Sequence, residues 1–292
     1  MNTRLLLLFL AFGFACSPRP YEIAYASYRD RNYDIFLATG DSTLALTTST
    51  ATEYNISWAP DGQKVYYTVY NQPNRQIHSY DFATKTETVV LGDSTVRSIA
   101  DVSSDNQTLL LALAGEHPKG ELYLYNLATK AKTRVSNNEW VESGAKLSPD
   151  GKQVVTSIQT SLPDSSSQAG NAEIFLISLT DQSVTQLTDI KGFNALPSFS
   201  PDGKKIAFHG CSGPNCDIYV MNADGSGLRN LTENTVDSRW PRWTPDGKWI
   251  AYTRTVDSNS DIYFISPTGT KSKPVITSPH RDEIAEIRPG RR

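Results

Sequence analysis

The sequence predicts an all-β chain folded as a six-bladed β-propeller with four antiparallel strands per blade. Three observations carry this: a Pro-Asp-Gly turn that returns at near-constant spacing, a four-strand pattern around each return, and termini that supply complementary parts of one repeat. Aromatic and β-branched residues abound, only two Met are present, and no stretch keeps helical periodicity.

The turn comes first. Pro60-Asp61-Gly62 recurs at Pro149-Asp150-Gly151, Pro201-Asp202-Gly203 and Pro245-Asp246-Gly247, with a worn copy at Ser104-Asp105-Asn106. The Asp positions are separated by 44, 45, 52 and 44 residues. Pro presets φ at the first corner, Asp bonds its own backbone, and Gly takes the left-handed position. An apolar strand follows each turn, as at Lys205 to His209 and Trp249 to Thr253. After a loop of varied length comes an acid-aliphatic-aromatic strand such as Asp34-Ile35-Phe36, Glu173-Ile174-Phe175 or Asp217-Ile218-Tyr219. A fourth strand ends near Leu46-Thr47, Leu187-Thr188 or Leu231-Thr232. Each unit thus has strands A to D, with the Pro-Asp-Gly turn joining A to B. Residues 21–290 hold six periods of about 45 residues.

The ends differ from the interior. Tyr21 to Tyr25 matches strand B with no A before it, and Glu283 to Gly290 matches strand A with no B after it. The expectation is a ring closed by a C-terminal strand A joining N-terminal strands B, C and D, which leaves no bare sheet edge. One column in strand A (Trp58, Val102, Leu147, Phe199, Trp243, Ile287) reads as packing between blades.

Ahead of the repeats, Arg4 and the 11-residue apolar run Leu5 to Ala15 read as a secretory signal. The run is shorter than the roughly 20 residues a spanning helix needs. The expected division is 1–15 signal peptide, 16–20 linker and 21–292 a single propeller. Gly13 and Ala15 before Cys16 resemble the lipobox of bacterial lipoproteins, which implies that Cys16 becomes residue 1 and carries the lipid. Ser17 after it resembles the outer-membrane sorting choice. The same bond also satisfies ordinary signal peptidase, which would leave a secreted protein without lipid. With Cys16 so used, Cys211 and Cys216 remain, five positions apart across a Gly-Pro turn, and in an oxidising compartment they read as a disulfide. A metal site there would need more ligands than the nearby His209 supplies.

Ser57-Trp58-Ala59-Pro60-Asp61-Gly62 and the run from Asp217-Ile218-Tyr219 through Asn222-Ala223-Asp224-Gly225 to Asn230-Leu231-Thr232 resemble the TolB-type, WD40-like (PD40) propellers. That resemblance implies a periplasmic propeller that docks an envelope lipoprotein. The α/β domain that precedes the propeller in TolB itself has no counterpart in these residues.

A propeller does not specify function, so the residues must. No Gly-x-Ser-x-Gly elbow for a serine hydrolase occurs. Metal-dependent lyases on related propellers need several converging His, and the four here (His78, His117, His209, His280) stand in different repeats or loops. Neither a catalytic set, a metal nor a cofactor is expected. The net charge of −3 and pI near 5.8 disfavour nucleic acid. The B-to-C and D-to-A loops share one face around the channel mouth and carry charges of both signs, which suits a protein or glycan surface. The candidate binding face comprises Arg29, Asp30, Arg31, Trp140, Glu142, His209, Arg239, Trp240, Arg254 and Asp282. The long loop Thr160 to Ala172 is a further candidate or a tolerated insertion. The expectation is a non-enzymatic, exported envelope propeller that binds a protein, or else a carbohydrate or peptide, and meets the membrane only through its lipid. The alternative is a polysaccharide lyase or hydrolase working at the channel mouth.

Overall fold

The computed structural model describes residues 19–71, 73–114, 120–137, 141–162, 170–233 and 236–290. The expected signal peptide and the Cys16 anchor lie outside the described residues. The chain runs through β1 (Arg19–Arg29), β2 (Asn32–Gly40), β3 (Ser42–Ala45), β4 (Thr52–Trp58), β5 (Lys64–Tyr70), β6 (Arg75–Asp81), β7 (Thr86–Leu91) and β8 (Val96–Val102). It continues through β9 (Thr108–Leu113), β10 (Glu121–Asn126), β11 (Lys132–Arg134), β12 (Glu142–Leu147), β13 (Gln153–Ser161), β14 (Asn171–Ser178), β15 (Val184–Gln186) and β16 (Phe193–Phe199). It ends with β17 (Lys205–Cys211), β18 (Cys216–Asn222), β19 (Arg229–Asn230), β20 (Asp237–Trp243), β21 (Ile250–Val256), β22 (Asn259–Ile265), β23 (Ser272–Ile276) and β24 (Arg281–Ile287). β1 already begins at Arg19, so the end of the expected linker is strand.

Four blades stand as separate four-stranded sheets, ordered β24-β1-β2-β3, β4-β5-β6-β7, β8-β9-β10-β11 and β20-β21-β22-β23. The expectation of a six-bladed propeller with four strands in every blade is corrected by this arrangement, which has four such blades and not six. The remaining strands, β12 to β19, share one eight-stranded sheet. Its physical cause is a parallel bridge: Ala172 at the start of β14 pairs with Phe193 at the start of β16, and the Ala172 N–H donates to the Gly192 carbonyl at 3.1 Å. This bridge lies where the long loop of the sequence ends. In the first blade the last strand lies beside the first, with Ile23 opposite Ile287 and Tyr28 opposite Arg281. The Arg288 guanidinium adds an ion pair to Glu22 and donates to the Gly62 carbonyl of the neighbouring blade.

The repeated turns have the chemistry their residues dictate. The N–H of Gly62, Gly151, Gly203 and Gly247 donates back three residues at 2.8–2.9 Å, and Asn106 does the same in the worn copy. All five sit at positive φ, between 59° and 70°. Each turn Asp accepts the backbone N–H two residues on, as Asp61 does from Gln63 at 2.8 Å. The acid of the third strand is also structural. The Thr or Ser at the end of the fourth strand accepts a backbone N–H from the third: Ile35 to Thr47 at 2.8 Å, Ile174 to Thr188 at 2.9 Å and Ile218 to Thr232 at 3.0 Å. Thr188 and Thr232 then donate to Glu173 and Asp217.

The core lies between adjacent sheets. Trp58 packs with Ala24, Leu37 and Val65, and Trp243 with Ala207, Ile218 and Tyr252. Both indoles also reach a neighbouring A strand: Trp58 Nε1 donates to the Glu286 carbonyl at 2.9 Å and Trp243 Nε1 to the Ser198 carbonyl at 3.1 Å. Burying a large apolar side chain of this kind contributes about 1.5–3 kcal/mol.

Candidate functional site

The A strands β4, β8, β12, β16, β20 and β24 together line a cavity of about 120 Å³, so they surround one axis. Each carries a register irregularity against its B strand, between Tyr54 and Ser57 in β4 and between Arg239 and Arg242 in β20, for example. A bulge of this kind re-aims the side chains that follow it. The residues just before the packed column, Ser57, Asp101, Lys146, Arg242 and Glu286, consequently meet one another across the axis.

They form a charge ring. Glu286 Oε1 accepts from Arg242 Nε at 2.5 Å and from Lys146 Nζ at 3.1 Å. Lys146 also lies 3.5 Å from Asp101 Oδ1, which accepts from Ser57 Oγ at 3.2 Å. The other Asp101 oxygen takes the Leu147 N–H at 2.9 Å. Glu286 is only 8% exposed. Burial works against its charge, but Lys146 and Arg242 outweigh it and hold the carboxyl below the usual range. Two cations and two anions cancel, so the groups at this end of the channel satisfy one another.

Above the ring, Asn55, Leu196, Trp240 and Ile284 hold positive φ of 52–57°, with Gly144 in the same column at 65°. For residues this bulky the left-handed region is unfavourable, and surrounding structure has to impose it. Trp240, Leu196, Ile284 and Asn55 line the cavity, with Glu142 beside them.

The rim carries a second hollow of about 540 Å³ between the β1–β2 hairpin and the loop after β3. Arg29, Asp30 and Arg31 line it, with Asp34 and Thr47 to Thr50 opposite. Asp30 and Arg31 take φ of 49° and 75°, the geometry of a two-residue hairpin turn. The Arg29 guanidinium lies 3.9 Å from the Phe36 ring centroid, and its Nε donates to Ser27 Oγ at 3.0 Å. Ser27 in turn donates to Asp282 at 2.6 Å. Behind the hollow, Glu53 accepts from Ser49 and Thr47. Burial, together with the neighbouring Asp34, pushes its carboxyl up to about 7. Farther in, Tyr33 and Tyr54 both donate to Glu283 Oε2 at 3.0 Å, while Ser260 and Arg281 occupy Oε1. Burial, and then the Glu283 charge, raise both phenols.

The residues singled out from the sequence fall into groups. Arg29, Asp30 and Arg31 come together at the rim hollow, joined to Asp282 through Ser27. Asp282 itself is fully buried, and burial raises its carboxyl. Glu142 and Trp240 meet at the central cavity. Arg239 pairs with Asp237 at 2.9 Å, and Arg254 donates to the Tyr263 hydroxyl at 3.3 Å. His209 is only 3% exposed, not on the open face; burial, aided by Arg239 and Arg242, pushes it down to about 3. Trp140 and His117 lie outside the described residues. His78 is packed beside Tyr67 and bonded to Gln76 and Glu87. Cys211 and Cys216 form a disulfide. Sequence reasoning missed the charge ring, although its signal was present: a polar residue immediately before each member of the packed column.

A protein-family model described as the TolB beta propeller domain matches residues 112–291. Among solved structures, TolB from Acinetobacter baumannii is similar at 22% identity and a TM-score of 0.80, covering 92% of this chain and 67% of its own. A protein of Agrobacterium tumefaciens assigned as TolB is similar at 16% identity and a TM-score of 0.66, covering 92% of each chain. An oligogalacturonate lyase in complex with manganese matches at 17% identity and a TM-score of 0.60, covering 88% of this chain and 73% of its own. No curated protein matches. At these identities the structural likeness speaks for fold alone. The family model spans more than half of the sequence, and the chain belongs to the TolB beta propeller domain family.

Proposed function

We propose that the chain is a non-enzymatic binding propeller of a bacterial envelope, exported, anchored through lipid on Cys16, and holding a protein partner on its B-to-C and D-to-A loops. The observation that carries this reading is the division of charge. The groups inside the channel are spent on one another, whereas Arg29, Asp30 and Arg31 line an open hollow at the rim. Such an arrangement leaves recognition to the rim, where complementary charge sets specificity and encounter rate. Membership of the TolB beta propeller domain family, with the envelope setting that the sequence resemblance implies, supports a partner within the envelope.

The likeness to a manganese-containing lyase favours the second reading, an enzyme at the channel mouth. That chemistry requires ligands converging there. Among the described residues the one such grouping is His209, Cys211 and Cys216, in which the cysteines are bonded to each other.

Affinity capture from envelope extract tests the reading with three baits: wild type, Arg29→Glu/Arg31→Glu, and Lys204→Glu/Lys248→Glu on the opposite face. The partner should be retained by the first and third and lost by the second. Retention by all three contradicts a rim site. Cys16→Ala should release the protein from membranes and abolish palmitate labelling; an unlabelled wild type that fractionates identically contradicts the anchor.

A further inference from the structure

We infer that His209, Cys211 and Cys216, once their disulfide is reduced, form a three-ligand site for a thiophilic d10 cation, Zn(II) or Cu(I). His209 and Cys211 are two residues apart on β17 and so share one face, and Cys216 on β18 is the register partner of Cys211. The three ligand atoms lie within 4.8 Å of one another. Metal–sulfur and metal–nitrogen bonds of about 2.3 and 2.0 Å place neighbouring ligand atoms roughly 3.5–3.8 Å apart. The two sulfurs therefore need to part by well over an ångström and the imidazole to close in by up to about 1.3 Å, at the end of a hairpin whose loop has four residues between the cysteines.

A second, independent observation points to a ligand. His209 is buried, and its Nδ1 has no hydrogen-bond partner. A buried polar ring left unpaired is what an empty or latent site looks like. Asp237 accepts both the Cys216 N–H and Arg239 Nε at 2.9 Å, which ties the end of the hairpin to the neighbouring strand. Two thiolates and a neutral imidazole balance a divalent ion, and thiolate donors select Zn(II) and Cu(I) over harder cations.

The redox step uses a dithiol reductant. One of its thiolates attacks the sulfur of the partly exposed Cys211, and Cys216 leaves as thiolate. The second thiol of the reductant then displaces Cys211, so the reductant ends as a disulfide and two electrons have reached the cysteines. The incoming cation takes the place of any protons they hold, which pass to water. The disulfide is the form without metal affinity.

The test uses the full exported chain, oxidised or reduced anaerobically with a phosphine, with circular dichroism checking that the reduced protein stays folded. Zn(II), Co(II) as its spectroscopic stand-in, and Cu(I) delivered from its bicinchoninate complex are titrated separately. The reduced protein should take up one equivalent of Zn(II) or Cu(I), show thiolate-to-cobalt charge-transfer bands, and lose reactivity of both cysteines toward alkylation. The oxidised protein should take up none. His209→Gln should weaken uptake about tenfold or more. The proposal is overturned if the reduced wild type binds neither ion, if its alkylation is unaffected by Zn(II), or if a folded His209→Gln protein binds as tightly with the same bands.

Discussion

Replacing Glu286 by Gln keeps the side chain's volume but removes the anion shared by Lys146 and Arg242. Glu286 receives Arg242 Nε at 2.5 Å and Lys146 Nζ at 3.1 Å, and all three residues are 8% exposed. Asp101 still lies 3.5 Å from Lys146, so the cation most stranded is Arg242. Breaking a buried pair by removing one partner costs about 3–5 kcal/mol; the amide oxygen still accepts a hydrogen bond, which places this case near the lower end. At roughly 2–4 °C per kcal/mol for a chain of this size, the melting point should fall by about 6–12 °C at pH 7.5. The loss should also depend on pH. Lys146 and Arg242 depress the folded-state carboxyl below the usual value of 4.5, so the stability Glu286 contributes is complete above that value and is lost as pH falls through the folded one. Thermal unfolding followed by circular dichroism should show the gap between wild type and variant narrowing with acidification below 4.5. A variant melting within about 2 °C of wild type at pH 7.5 would mean that the ring does not stabilise the channel. An unchanged gap in acid would refute the role given to the charge.

Two further substitutions and one deletion probe other contacts. At Gly144, φ is +65° and an added Cβ would come within 2.5 Å of the Leu196 Cα, so Gly144→Ala should cost about 2–4 kcal/mol in urea unfolding; a neutral result would mean that the A strands are not so closely apposed. Because the Glu53 carboxyl is raised to about 7, the folded chain keeps a proton the unfolded chain has released, and stability should fall as pH rises from about 4.5 to 7. Glu53→Gln should flatten that slope, and an unaltered profile would remove Glu53 as its source. Deleting residues 281–292 removes β24, uncovers the β1 edge and strips Glu283 from Tyr33 and Tyr54; aggregation or early melting is expected in size-exclusion and melting runs, and a monomer of native stability would contradict the pairing of the two ends.

The sequence was most readable where short-range chemistry decides the structure. Pro60-Asp61-Gly62 and its copies specify their turns locally, and the alternation of acid, aliphatic and aromatic residues in the third strands carries over directly into buried Ile35, Ile174 and Ile218 with their Thr partners. The cysteine pair was readable for the same reason. Long-range pairing was not. The bridge from Ala172 to Phe193, which merges β12 to β19 into one sheet, depends on where a long loop returns, and nothing local to either residue announces it. The burial of His209 and Asp282 was missed because the sequence placed His209 at the end of a strand and Asp282 in a loop, where exposure is the usual expectation; β17 in fact runs on to Cys211, and Asp282 lies in β24 bonded to Ser27 and Ser278. Lys146, Arg242 and Glu286 are separated by about a repeat or more each, and only the closed arrangement of the A strands reveals that they meet.

The most direct test of a rim-binding propeller whose channel charges are paired with one another is a footprint of the captured complex by amide hydrogen exchange, free against bound. Protection is expected at residues 29–32, 47–51 and 237–242, around the hollow and the Trp240 end of the channel, with no change at the opposite-face turns 59–62, 148–151 and 244–247. Protection confined to those turns, or spread along the outer strands β3, β7 and β23, would contradict the account.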